Sequence, residues 1–197
     1  MVRSWLLLFA ATAVALTSVT VLPVGAAPAD EPATKVTRPS QLSAAEVREV
    51  LTRHNEARRE VGTPPLTWSP MLGGYAQAWA DEIARTGLFE HRPRDGEWAN
   101  LHYGENIAVG FGPGHGMGMA VDQWRSEEHD YVSGTAVPEL PEDFAQFKAG
   151  HYTQMVWRET RLIGVGKAVI QTGDMAGWTV FVANYDPAGN AGGQKPY

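Results

Sequence analysis

Trp178-Thr179-Val180-Phe181-Val182-Ala183-Asn184-Tyr185 alternates two sets of side chains, and both sets are mainly apolar. Successive side chains of a strand leave opposite faces. Thr179, Phe181, Ala183 and Tyr185 therefore line one face, and Trp178, Val180, Val182 and Asn184 line the other. A strand wetted on one side carries polar residues there. Here both faces require cover, which predicts a sheet with helices on both sides. Leu162 to Ile170 reads as the neighbouring strand, with Gln171 to Gly177 as the turn between them, and a shorter strand is expected around Asn106 to Val109.

The covering helices are marked in the residues upstream. Ser43 followed by Glu46 forms a capping box, with Leu42 and Val47 at the hydrophobic-staple positions. A helix over 43–61 follows, with Val47, Val50, Leu51, Ala57 and Val61 recurring at threes and fours, His54 on the same stripe and Gly62 as the stop. Ser69-Pro70 starts a second helix, whose buried face is Leu72, Ala76, Trp79 and Ile83 and whose end is Gly87. A third carries Met117, Ala120, Val121 and Trp124, and the Gly150-to-Trp157 segment is placed on a short helix. Residues 88–104 and 132–147 read as loops. The glycine-rich run Gly110 to Gly118 lacks the Gly-Lys-Ser/Thr ending of a phosphate loop.

At the start of the chain, Arg3 precedes an apolar run from Trp5 to Leu16 and the small-residue exit Val24-Gly25-Ala26, the pattern of a signal peptide over 1–26. Residues 27–41 are expected to be a disordered linker. The remaining segment, 42–197, is about 155 residues, one ordinary domain with room for a core. No later apolar run is long enough for a membrane span, so a secreted, extracellular protein without a stable span is expected. The net charge of −6 offers no basic footprint for nucleic acid. With no cysteine in the chain, core packing must replace disulfide staples, and seven tryptophans suit that task. Trp79, Trp124 and Trp157 are read as core.

Five segments occur in order: His54-Asn55-Glu56-Ala57-Arg58, Gly104-Glu105-Asn106-Ile107, Trp124-Arg125-Ser126-Glu127, Gly150-His151-Tyr152-Thr153-Gln154-Met155-Val156-Trp157 and Phe181-Val182-Ala183-Asn184-Tyr185-Asp186-Pro187. Together they resemble the CAP superfamily, the cysteine-rich secretory, antigen 5 and pathogenesis-related group one proteins that share the SCP domain. The resemblance implies an α+β fold, an α-β-α sandwich with a central antiparallel sheet covered by helices on both faces. It also implies a cleft lined by two His and two Glu, which fall here on His91, Glu105, Glu127 and His151. Ala183 stands where eukaryotic relatives commonly carry Cys. The end of the chain, Asn184 to Asn190 and Lys195 to Tyr197, resembles the segment that plant members release as a signalling peptide.

The residues also speak for a polar cleft. Glu127 lies three after Trp124 and seven after Ala120, so a helix sets its carboxylate on the apolar side, where it needs a partner. Two imidazoles and two carboxylates can hydrogen-bond among themselves. Alternatively His91 and His151 can hold a divalent cation such as Zn2+ with Glu105 and Glu127 nearby. His54 is read as structural, having no ligand at i+4, and His102, His115 and His129 as solvated.

Three functions are consistent with this reading. The first is a binding protein for a lipid or sterol-like ligand, in defence or host interaction, with a concave apolar site and few polar groups. The second is a metal-assisted, peptidase-like hydrolase with Glu105 or Glu127 as base; there is no cysteine, and Ser126 has no assured base. The third is a precursor of a C-terminal peptide, Pro187 to Tyr197, whose Gly and Pro content suggests an exposed tail.

Overall fold

The computed structural model describes residues 38–139, 143 and 146–197. The expected signal peptide, and the expected linker up to residue 37, lie outside the described residues. Residues 38–41 are held against the domain: Arg38 N donates to the Gly74 carbonyl, Ser40 Oγ to the Val165 carbonyl and Gln41 N to Gln77 Oε1.

Helix α1 spans Ala44–Glu60 with the reciprocal Ser43 and Glu46 capping box in place, and Gly62 follows it at a left-handed φ of 76°. A two-residue strand, β1 (Thr67–Trp68), precedes α2 (Pro70–Thr86), whose N-cap is Ser69 and whose C-cap is Gly87. Then come β2 (Gly104–Gly110), α3 (Met117–Ser126), α4 (Gly150–Met155), β3 (Leu162–Val169) and β4 (Thr179–Asp186). β2 is longer than expected because it pairs with β4 along its whole length. β1 is too short to leave a periodic signal in the sequence.

The sheet order is β1-β3-β4-β2, antiparallel except for the short parallel contact of β1 with β3. Both faces of β4 are covered, as its alternation required. Phe181, Ala183 and Tyr185 pack with Val50 and Ala57 of α1, Val121 and Trp124 of α3, and Tyr152 and Met155 of α4. Val180 and Val182 pack with Ala76, Trp79, Ala80 and Ile83 of α2. Helix α2 crosses β3 over Gly164 and Gly166, where a Cβ would lie 2.0 and 2.3 Å from α2 backbone atoms. Glycine is required there by the closeness of approach.

The three tryptophans read as core are in the core. Trp79, Trp124 and Trp157 are all buried, and the indoles of Trp79 and Trp124 donate to the carbonyls of Glu90 and Ile107. The outer edge of β3 is closed by a side chain: Gln77 of α2 accepts from Lys167 N through Oε1 and donates to the Lys167 carbonyl through Nε2. Its amide stands in for a strand, which blunts an otherwise exposed edge. No described helix is long and apolar enough to cross a membrane.

Candidate functional site

Strand β2 is the outer strand, so side chains from both faces of the sheet can meet around its edge. Glu105, near its start, is only 8% exposed in its side chain and lies on the α2 side. The loop after α2 brings in the two residues that meet this carboxylate. His91 Nδ1 and Arg92 N each donate to Glu105 Oε1 at 2.9 Å, and Arg92 Nε lies 3.6 Å from Glu105 Oε2. His91 itself is 59% exposed.

The second pair comes from the other face. The α-helical part of α3 ends at Ser126, so Glu127 sits just beyond it, in a 3-10 turn over Glu127–Asp130, rather than within the helix as the spacing suggested. From there its carboxylate reaches the start of α4. Oε2 accepts from His151 N at 2.7 Å and Tyr152 N at 3.3 Å, and Oε1 accepts from His151 Nδ1 at 2.6 Å. Two otherwise orphan helix N–H groups are thereby satisfied. The rings of His91 and His151 lie 6.5 Å apart at 33°. All four sequence-selected residues thus meet in one place, as two His-Glu pairs with adjacent imidazoles.

This geometry gives no support to the zinc alternative. Zinc sites commonly use three or four protein ligands, and among the described residues no group of three or more His, Cys, Asp or Glu is placed to hold a metal ion. Each Nδ1 is turned to its own carboxylate, which leaves only the two Nε2 atoms as imidazole donors, while Glu127 is engaged by backbone N–H groups and Glu105 faces a guanidinium. Two free imidazole nitrogens fall short of the three or four protein ligands of a preformed centre.

His54, His102, His115 and His129 stay outside the pairs. The last three are exposed. His54 is fully buried and begins a chain of hydrogen bonds that the sequence did not reveal. Its Nδ1 donates to the Val50 carbonyl at 2.8 Å, which leaves Nε2 to accept from the Tyr185 hydroxyl at 2.9 Å. The Tyr185 oxygen accepts from Asn106 Nδ2 at 3.2 Å, and Asn106 also donates to the His151 carbonyl at 3.0 Å. Burial holds the His54 pKa down at about 4, with the Arg58 charge adding to the effect. Burial likewise pushes the Tyr185 phenol upward.

Arg58 was missed as well. Although it is fully buried, its guanidinium donates to the carbonyls of Pro64, Met155, Trp157 and Thr160, fastening the segment after α4 to α1. Burial lowers its pKa to about 10. Asn55 grips Leu66 through both amide atoms. The His54-Asn55-Glu56-Ala57-Arg58 segment is therefore a set of long-range ties, and the only signal of this in the sequence was the presence of polar residues on an otherwise apolar helix face.

The C-terminal segment is less exposed than its composition suggested. Gly189 N donates to Gln154 Oε1, Asn190 bonds the Gly150 carbonyl and Thr153 Oγ1, and Arg158 N donates to the Pro196 carbonyl. The Tyr197 ring lies 5.6 Å from that of Tyr131. Residues 187, 188 and 192–195 are exposed in this stretch, while 189–191, 196 and 197 are covered wholly or in part. Away from the His-Glu pairs, a small concavity between the end of β2 and α3 is lined by Val109, His115, Met119, Ala120 and Phe181.

An α-β-α sandwich with paired His and Glu at the edge of the sheet defines a class of domain, and sequence comparison agrees with it. The chain belongs to the CAP family, the cysteine-rich secretory protein family, which it matches over residues 51–185. It is 36% identical to the basic form of pathogenesis-related protein 1 of Nicotiana tabacum over 154 residues, covering 76% of this chain and 75% of the relative. Pathogenesis-related protein 1A1 of Solanum lycopersicum is 37% identical over 142 residues, covering 71% of this chain and 70% of the relative. Among solved structures, BmVAL-1 superposes with a TM-score of 0.63 at 20% identity, covering 80% of this chain and 84% of that one. A structure of NaASP2 with Zn2+ gives 0.62 at 22% identity, covering 79% and 86%. At these identities the structural likeness is one of fold.

Proposed function

We propose that this chain is a secreted CAP-domain protein that acts by binding a lipid or sterol-like ligand, in a defence or host-interaction setting. The signal-like start and the naming of its relatives as pathogenesis-related proteins support export and that setting. The observation that carries binding over catalysis is the commitment of both carboxylates. Glu105 is engaged by Arg92 and His91, and Glu127 by the start of α4, so neither is left as a free base. The exposed edges of the two imidazoles are then suited to orienting a polar handle.

Apolar side chains of the kind such a ligand would contact lie at the far end of β2, away from the His-Glu pairs. Val109, Met119 and Phe181 line the small concavity there, and exposed Phe111 packs on Trp178 at 5.8 Å. The peptidase-like reading has less support for the reason just given. Release of the tail has less support because its flanks are hydrogen-bonded to α4 and the segment that follows it.

The test is retention of radiolabelled sterol and fatty acid by the purified protein, beside Met119→Glu. Retention by the wild type and its loss in the variant are expected. A wild type that retains neither ligand overturns the reading, and so does hydrolysis of peptide substrates that disappears in Glu105→Gln.

A further inference from the structure

Among the described residues, four buried side-chain atoms have no hydrogen-bond partner: Arg92 Nε, Glu105 Oε2 and both amide atoms of Asn184. They are not scattered. Glu105 and Asn184 are register partners across β2 and β4, so their side chains leave the same face of the sheet, the one covered by α2. Arg92 Nε lies 3.6 Å from Glu105 Oε2, just beyond a direct hydrogen bond. On its other side Asn184 faces Gly164 of β3, which contributes no side chain and over which α2 passes closely. Asn184 is 0% exposed.

The same two strands carry a second polar set on the opposite face, Asn106 and Tyr185, and that one is fully hydrogen-bonded into the chain from His54 to His151. The adjacent residue pairs Glu105-Asn106 and Asn184-Tyr185 thus place one polar set on each face. The set on the α2 face is the one left unsatisfied within the protein.

A buried amide without partners is costly, and native proteins generally satisfy such groups with protein or ordered water. The unsatisfied atoms are of both kinds. Arg92 Nε–H and the Asn184 NH2 donate, whereas Glu105 Oε2 and the Asn184 carbonyl accept. A cation would meet the Arg92 guanidinium and an anion would meet the Glu105 carboxylate. A small neutral molecule that both donates and accepts suits all of them, and water is the smallest.

We propose that Arg92, Glu105 and Asn184 form a site for an internal water molecule, and that through it Asn184 is a positioning residue for Glu105 and the His91 it holds. The water fixes Oε2 on the α2 side, which keeps Oε1 directed at His91 Nδ1. This role is independent of which ligand the domain carries.

The test uses the 15N-labelled full-length protein. Water-selective NOE and ROE spectra are expected to show a long-lived water at the Asn184 side-chain amide and at Arg92 Hε. Amide protons that show no such contact overturn the proposal. Asn184→Leu gives a second, opposite-sign reading in thermal unfolding. If the amide were simply stranded, leucine would raise Tm; if the amide holds water against Glu105 and Arg92, leucine strands both and lowers Tm. The 15N shifts of His91 separate positioning from a general loss of stability. The Nδ1–H tautomer of the wild type is expected to become mixed in folded Asn184→Leu and to be kept in Asn184→Ser, which leaves room for solvent. An unchanged tautomer in folded Asn184→Leu overturns the positioning role.

Discussion

His151 and His91 each reach a glutamate through Nδ1, at 2.6 and 2.9 Å, yet the two pairs are built by different means. Glu127 is held by backbone: it closes the first turn of α4, and both it and His151 are partly covered, at 23% and 33%. Glu105 is held by charge: it is buried beside Arg92, while its histidine stands largely in solvent. Two pairs of the same residue types thus have different tasks. One terminates a helix and is tied to the core, and the other balances a buried guanidinium and presents an exposed imidazole.

The most severe way to break this contrast is at the buried charge. Glu105→Ala leaves Arg92 inside without its counter-ion and is expected to cost on the order of 3–5 kcal/mol in chemical denaturation. A loss under about 1 kcal/mol would show that Arg92 is already satisfied by its other partner, the Leu101 carbonyl.

Acid sharpens the other side, because only the His151 pair is wired to a titratable core group. His54 has a folded pKa of about 4 against an ordinary value of 6.5. Between those values the unfolded chain binds a proton that the folded chain refuses, so stability falls as pH drops through this window. The loss reaches about 3 kcal/mol by pH 4 and is absent above pH 6.5. Denaturation midpoints of the wild type and His54→Gln across this range should converge at low pH; parallel curves would remove the assignment.

A smaller effect is expected from Glu127→Ala, about 1–2 kcal/mol, as for loss of a helix cap. Amide exchange should accelerate at His151 and Tyr152 and leave β2 unchanged. Least of all, His91→Ala should change stability by no more than about 0.5 kcal/mol, since its ion pair is largely solvated. A His91→Ala loss as large as that of Glu127→Ala would erase the distinction between the pairs.

Much of this could be read before the structure. The Ser43 and Glu46 box, the Ser69-Pro70 start and the Gly87 stop are local devices, and each appears where the residues placed it. The two apolar faces of β4 called for helices on both sides, and α2 on one side with α1, α3 and α4 on the other answer that need. The four site residues came from the resemblance to a family, and the structure brings them together. Their use was left open: the residues allowed either mutual hydrogen bonding or a divalent cation, because spacing carries no information on where Arg92 N or His151 N would point. The tail was legible only in part: Gly and Pro signal local freedom, and residues 187, 188 and 192–195 are exposed, whereas Asn190 and Pro196 are fixed by partners on and just after α4.

By itself the sequence determined the helices, their caps, the strand faces and the family, all of which depend on neighbours a few residues apart or on ordered motifs. Only the tertiary structure decided which carboxylate meets a guanidinium and which meets a helix end. The same holds for His54, whose partner Tyr185 lies 131 residues away, and for Asn184, whose amide is left unpaired within the protein. These outcomes follow from strand register and from the path of α2 across Gly164 and Gly166. Such long-range contacts are set by how the whole chain packs, and no local pattern encodes them.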